Sequence, residues 1–492
     1  MALENLQPKE VFHYFEEICR IPHGSGNLQK ISDFLVSFAK ERKLEVIQDE
    51  ELNVIIKAPG TAGYEDKEPV ILQGHMDMVA VSDGTTGIDM KTDSLDVTTD
   101  GEYVWAKGTS LGGDDGIAVA YCLALLDSTD IPHPPLEVVI TTNEETGMFG
   151  AAAIDLSSLK GKTMINLDNE EEGVFITSCA GGARIYSHLP VKRQAFTGVK
   201  LLVEVEGLKG GHSGEMIKCG RGNANIIAAR TLIEASKAAD FRIIDIKGGV
   251  ADNAIPASAT AQVVVAKDDA AKFADSVART LKAVKGELEV KDPDVTIKVQ
   301  GKLPDDTALI SELEKASACE TSAIFGEDGL KALKLITVMP DGVQAMSASV
   351  EGLVETSLNL GVLTTSENEI VLEQSVRSSV ETSKDYLLGK LIILAESFGA
   401  TTSISGKYPG WKFNPASALR EHMVEVYRKM YGKDPKVEAI HAGLECGILS
   451  EKIEGLDCIS IGPDMLDIHS PKEKLSVKST ANVWDYLKEV LK

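Results

Sequence analysis

Imidazole and carboxylate side chains recur in this sequence directly after short apolar runs. Val70-Ile-Leu-Gln-Gly74 leads into His75-Met-Asp77. Leu136-Glu-Val-Val-Ile-Thr-Thr142 leads into Asn143-Glu144-Glu145, and Met164-Ile-Asn-Leu167 into Asp168. Gly113-Asp114-Asp115-Gly116 stands ahead of a long apolar stretch, Ile117 to Leu126. Each has an ordinary explanation when taken singly: a structural histidine, a solvated turn, an aspartate capping a helix at the positive end of its dipole. The repetition of strand followed by carboxylate is what points to a shared site. In open α/β sheets, ligands bind beyond the carboxyl ends of the strands.

Zn2+ and Mn2+ accept imidazole and carboxylate ligands, with no need for cysteine. His75, Asp114, Glu145, Asp168 and His469 suit two such ions sharing one carboxylate, since paired ions sit about 3.5–4 Å apart. The pair would hold a water, lower its pKa and polarise a carbonyl. A base must then take the proton and pass it to the leaving amine. Glu144 suits that role if it faces the substrate while Glu145 faces the ions. Asp77 is expected behind His75, because a metal-bound imidazole usually gives its other N–H to an oxygen that fixes its tautomer. His212, in the turn Gly210-Gly-His212-Ser213-Gly214, is a candidate donor to the oxyanion; a surface turn histidine would have the same spacing.

These groups need elements to hold them. Pro8 to Cys19 and Leu28 to Lys43 read as amphipathic helices, with Phe34, Leu35 and Phe38 on the buried stripe of the second. Val70 to Gln73, Leu136 to Thr142 and Met164 to Leu167 read as strands, and Asp83 to Asp100 as a surface loop or hairpin. From about Ala183 the order becomes strand–helix–strand twice: Ala261 to Ala266, Ala270 to Lys285 and Val295 to Val299, then Ile370 to Ser375, Ser383 to Phe398 and Thr401 to Ser405. The last section returns to strands ending in polar motifs, Val437 to Ile440 before His441-Ala-Gly443-Leu-Glu445 and Leu456 to Ile461 before the loop to Ile468-His469-Ser470-Pro471. A site fed from both ends of the chain implies a catalytic domain, 1–183 and 405–492, interrupted by an inserted α+β lid, 184–404.

The bulk properties agree. A chain of 492 residues exceeds one ordinary core. Its formal net charge of −25 leaves no basic surplus to neutralise phosphates, which argues against a nucleic-acid partner. No apolar run spans a bilayer, and Met1-Ala-Leu-Glu-Asn-Leu-Gln-Pro8 is no secretory signal. Cys19, Cys122, Cys179, Cys219, Cys319, Cys446 and Cys458 are scattered and never form Cys-x-x-Cys, the usage of reduced cytoplasmic thiols.

Gly74-His75-Met76-Asp77, Leu111-Gly-Gly-Asp114-Asp115-Gly116, Asn143-Glu144-Glu145-Thr-Gly147, Asn166-Leu-Asp168, Gly210-Gly-His212-Ser213-Gly214, Asn253-Ala-Ile-Pro256 and His441-Ala-Gly443-Leu-Glu445-Cys-Gly447 occur in that order over nearly the whole chain. In this the sequence resembles the M20 metallopeptidases, in their aminoacyl-histidine dipeptidase (carnosinase-like) branch. The resemblance implies an α/β phosphorylase/hydrolase-like catalytic domain, a mixed sheet flanked by helices, with an inserted lid. It implies two divalent ions, Zn2+ foremost with Mn2+ or Co2+ as alternatives. His75 and Asp168 would hold one, Glu145 and His469 the other, with Asp114 bridging. It implies Glu144 as general base, Asp77 as the orienting acid, and His212, Asn253, Arg377 and Gly443 as substrate contacts. A guanidinium such as that of Arg377 can grip a terminal carboxylate bidentately. One departure stands out: the branch usually has asparagine after the bridging aspartate, where this chain has Asp115. Its added charge is expected either to act behind the ligands or to alter metal preference.

The expected activity is hydrolysis of unblocked dipeptides, Xaa-His and β-Ala-His among them, in the cytoplasm. An N-acyl-amino-acid deacylase would use the same ions and differ in not requiring a free amino end. A metal-dependent binding protein would have no use for Glu144. A serine hydrolase is disfavoured because Gly211-His-Ser213-Gly is followed by glutamate and makes no nucleophile elbow. The insertion can either complete its own site or pair with a second copy in a homodimer.

Overall fold

A computed structural model describes residues 2–492. The chain divides into two units, one formed by 1–179, 411–439 and 444–492, the other by 180–410 with the short segment 440–443. The expected boundaries at 183/184 and 404/405 fall inside two strands, Gly181–Pro190 and Thr401–Tyr408. These pair with each other, so both belong whole to the second unit.

The first unit is built on an eight-stranded mixed sheet. Its order is Glu45–Gln48, Val54–Ala58, Leu136–Thr141, Val70–His75, Thr163–Asn166, Asp457–Ser460, Val174–Cys179, Lys436–Ile440. Val70–His75 runs parallel to both neighbours, with His75 level with Thr141 and Gln73 level with Asn166. Parallel strands buried on both faces read as continuous apolar runs, and all six residues of Leu136–Thr141 are buried. The register therefore brings three strands to their carboxyl ends at one edge, with His75 as the last residue of one and Glu144 and Asp168 just beyond the other two.

The helix Gly113–Asp127 is buried from Gly113 through Leu126. A helix apolar all round belongs inside, and this one packs between the helix Lys9–Cys19 and the strand Val70–His75. Gly74 is required where its first turn crosses that strand. A Cβ there would lie 2.5 Å from Asp115 Oδ2 and 2.6 Å from the Ala118 methyl. The stretch expected as a surface loop or hairpin contributes one short strand, Val97–Thr99, paired antiparallel with Tyr103–Ala106.

The second unit is an antiparallel sheet in the order Thr296–Val299, Arg193–Glu206, Ala259–Val265, Phe241–Gly248, Val354–Thr365, Glu369–Ser378, Gly181–Pro190, Thr401–Tyr408. Each strand–helix–strand unit read from the sequence holds a further strand between its own two. Ala259–Val265 and Thr296–Val299 flank Arg193–Glu206, while Glu369–Ser378 and Thr401–Tyr408 flank Gly181–Pro190. All seven cysteines are free thiols. Among the described residues no helix is long and apolar enough to cross a membrane.

Candidate metal centre

Two groups of side chains in the first unit converge closely enough to hold an ion each. His75, Asp114 and Asp168 form one, and Asp114, Glu145 and His469 the other; within each, the potential ligand atoms lie within 4.8 Å of one another. Asp114 belongs to both. Its Oδ1 lies 3.1 Å from His75 Nε2 and its Oδ2 3.0 Å from His469 Nε2. His75 Nε2 is also 3.5 Å from Asp168 Oδ1, and His469 Nε2 is 2.9 Å from Glu145 Oε1.

The backbone turns that deliver these groups use left-handed conformations. Gly112, the residue before the helix carrying Asp114, has φ +70°, and Asn143, the residue before Glu144, has φ +52°. His469 itself has φ +59°. A non-glycine residue held there costs about 1–3 kcal/mol and is concentrated at functional sites.

The electrostatics are those of a cation site. Three carboxylates are crowded against two imidazoles, and buried charge of one sign is stable only when paired or bound to metal. Hydrogen bonds to Asp114 and Glu145 push His469 up to about 10. For His75, burial opposes protonation, but Asp168, Asp114 and Asp77 outweigh it and carry the ring well above the usual histidine range. Burial pushes Asp168 up to about 6, against the pull of His75. A donor set of imidazole and carboxylate fits borderline divalent ions.

Asp77 stands behind the His75 ring. The second ring nitrogen of His75 lies 3.0 Å from the backbone carbonyl of Asp77, with the Asp77 carboxylate farther off at 3.5 Å. The carboxylate also reaches the next strand end. Its Oδ1 accepts from the Glu144 N–H at 3.0 Å and its Oδ2 from Ser25 Oγ at 2.7 Å, with the Glu145 N–H at 3.4 Å. Asp77 therefore faces the ring with its main-chain carbonyl and its carboxylate, and the same carboxylate holds the Glu144–Glu145 turn. Glu144 belongs to neither ligand group. Burial, together with Asp168, Glu445 and Glu145, holds its carboxyl well above the ordinary range despite His75.

Asp115, the unusual residue, is fully buried. Its Oδ2 accepts the His75 backbone N–H at 3.1 Å, and its Oδ1 has no hydrogen-bond partner. Burial and the adjacent Asp168 drive its pKa far up, which favours the neutral acid. A neutral carboxyl has the shape and acceptor of an asparagine side chain. Asp115→Asn is therefore expected to keep the melting temperature within about 2–4 °C and activity within about threefold, since a volume-conserving change that keeps the hydrogen bond costs under about 1.5 kcal/mol. Thermal melting and a kcat/KM measurement check this.

Three residues near this centre have no counterpart among the candidates read from the sequence: Gln73, Glu445 and Glu473. Glu445 is fully buried and accepts from Gln73 Nε2 at 2.5 Å and Thr141 Oγ1 at 2.6 Å, while Gln73 accepts from Asn166 at 2.6 Å. This network lies under the three strand ends. Its signal in the sequence is polar residues within apolar strands. Glu473 accepts backbone N–H groups from the turn ahead of Asp114.

His212, Asn253, Arg377 and Gly443 all fall in the second unit. His212 lies in a two-stranded ribbon with Ala254–Ile255, and the Asn253 carbonyl accepts from the Ser213 N–H at 2.8 Å. Arg377 is buried and 3.4 Å from the Tyr408 hydroxyl, with its Nε unpartnered. His441 Nε2 lies 2.7 Å from Ser357 Oγ. Burial and the Arg377 charge lower both His212 and His441, the latter to about 3, so both rings are neutral at pH 7.

A two-ion imidazole–carboxylate centre at the strand ends of an α/β unit, with an inserted α+β unit, is the arrangement of a binuclear hydrolase. The family model "Peptidase family M20/M25/M40" matches residues 71–492, and the chain belongs to that family. It is 36% identical to the cytosol non-specific dipeptidase of Escherichia coli (strain K12), over 100% of this chain and 98% of that protein. The crystal structure of aminoacylhistidine dipeptidase from Vibrio alginolyticus superposes with a TM-score of 0.90 at 35% identity, covering 100% of this chain and 98% of the other. Aminopeptidase PepT from Bacillus cereus shares the fold at a TM-score of 0.55 and 15% identity, covering 99% and 98%.

Proposed function

We propose that this M20 enzyme is a cytosolic, metal-dependent dipeptidase that hydrolyses unblocked dipeptides, Xaa-His and β-Ala-His among its substrates. The observation that carries this reading is Asp114 shared between two ligand groups, with Glu144 beside them and outside both. The full-length likeness to a non-specific dipeptidase and to an aminoacylhistidine dipeptidase supports the substrate class.

His75 and Asp168 would hold one ion, Glu145 and His469 the other, and Asp114 both. When bound, two Zn2+, Mn2+ or Co2+ ions supply Lewis acidity and an activated water at neutral pH. The chain's own groups do the rest. Glu144 takes the proton of the attacking water and returns it to the leaving amine, while Asp77 holds the turn on which Glu144 sits. Neutral His212 donates to the developing oxyanion. Arg377 binds the terminal carboxylate, with Asn253 and the Gly443 turn as further substrate contacts.

The test is a dipeptide panel with N-acetylated counterparts, run with native, chelated and metal-reloaded enzyme. Activity on free dipeptides is expected to vanish on chelation and return with Zn2+, Mn2+ or Co2+. Full turnover after exhaustive chelation would end the metal reading, and preference for the acetylated substrates would make the enzyme a deacylase.

A further inference from the structure

Glu473 belongs to neither ligand group, yet the residue is only 3% exposed and lies on the segment that carries His469. Its Oε2 accepts the backbone N–H of Leu111 at 2.8 Å and of Gly112 at 3.2 Å, and its Oε1 accepts that of Gly113 at 2.7 Å. Consecutive amides of the turn that leads into Asp114 therefore converge on one anion. Charge-assisted bonds of this kind are shorter and stronger than neutral ones.

The turn is shaped for this contact. A Cβ on Gly113 would lie 3.3 Å from Glu473 Oε1 and 3.2 Å from Met465 Sδ, and one on Gly112 would lie 2.8 Å from Met78 Sδ. The loop on the other side is tied to Glu473 as well: its N–H donates to the Ser470 carbonyl at 3.1 Å, and Ser470 Oγ donates to the Asp467 carbonyl at 2.6 Å. His469 stands between those two anchors.

We propose that Glu473 is a positioning residue for the shared ligand: it locks the Leu111–Gly113 turn to the His469 segment and so sets the Asp114–His469 spacing. This rests on the two-ion reading above. Because Asp114 serves both groups, loss of the clamp weakens both ions. Outer partners of metal ligands typically account for 10–100-fold in affinity.

The experiment is calorimetric titration of chelated protein with Mn2+ and with Zn2+, alongside melting of the metal-free forms. Glu473→Gln keeps the size but turns an NH2 group toward backbone N–H donors. It is expected to bind both ions about 10–100-fold more weakly than wild type. Glu473→Asp, which keeps the charge with a shorter reach, is expected to fall between, and carries the comparison if the glutamine variant does not fold. Affinities within twofold of wild type in variants that merely melt earlier overturn the proposal, since Glu473 would then stabilise the turn without setting the site. A wild-type protein that binds fewer than two ions refutes the two-ion reading instead.

Discussion

Replacing Glu144 by alanine is expected to lower kcat on a dipeptide by about 10²–10⁴-fold, the usual contribution of a positioned general base, with both ions retained. The two adjacent glutamates differ in what holds them. Glu145 reaches His469 Nε2 at 2.9 Å and is part of a ligand group. Glu144 is outside both groups, and its position is set by its own N–H bonded to Asp77 Oδ1 at 3.0 Å. That hydrogen bond is to the main chain and survives truncation of the side chain. Burial holds the Glu144 carboxyl above the ordinary carboxylate range, the direction that makes a carboxylate a stronger base. Metal content by elemental analysis separates the outcomes. A variant that is inactive with full metal supports the base; one that has lost an ion shows that the two glutamates have exchanged roles.

The strand ends of the first unit are legible in the sequence for a physical reason. Strands such as Leu136–Thr141 are covered on both faces, so they appear as unbroken apolar runs and the polar residue that follows marks the strand end. The second unit is less legible. Arg193–Glu206 is a fourteen-residue strand, of which only Leu201 to Val205 stands out. Its first half pairs with Cys319–Ile324, and the alternately exposed residues of both carry no apolar signal. The helix Gly326–Val338 and the strand Val354–Thr365 are likewise absent from the elements expected of the sequence.

Within the site, legibility follows the same line. Ligands at strand ends are announced by the strands, but Glu473 sits in Ser470-Pro-Lys-Glu473-Lys, which has the composition of a solvated turn. Its burial is created by backbone amides of Leu111 to Gly113, and no side-chain pattern encodes an amide. Asp77 shows the complementary case. Its type and spacing point to the His75 ring, which its carboxylate faces at 3.5 Å, but its second task, accepting the Glu144 N–H, carries no signal in the sequence.

Removal of the Asp114 carboxylate should be the most damaging single change at the centre. Asp114→Ala is expected to lose both ions and to reduce kcat/KM by about 10³-fold or more, because metal chemistry supplies several kcal/mol of transition-state stabilisation. Asp168→Ala and His469→Ala each touch one group only, and each should leave one ion bound. The physical basis is the division of Asp114 between two imidazoles, 3.1 Å on one oxygen and 3.0 Å on the other. Burial alone would raise its pKa, but bonds from His469 and His75 pull it far below the ordinary carboxylate range, so it stays ionised. The imidazoles carry the opposite shift: His469 keeps its proton up to about 10 in the metal-free site. An incoming ion must displace that proton, so loading should weaken as pH falls and release protons when it occurs. Titrations in buffers of different ionisation enthalpy measure that release directly. Equal proton release in wild type and Asp114→Ala, or two ions still bound by the variant, would show that Asp114 is not shared between the ions.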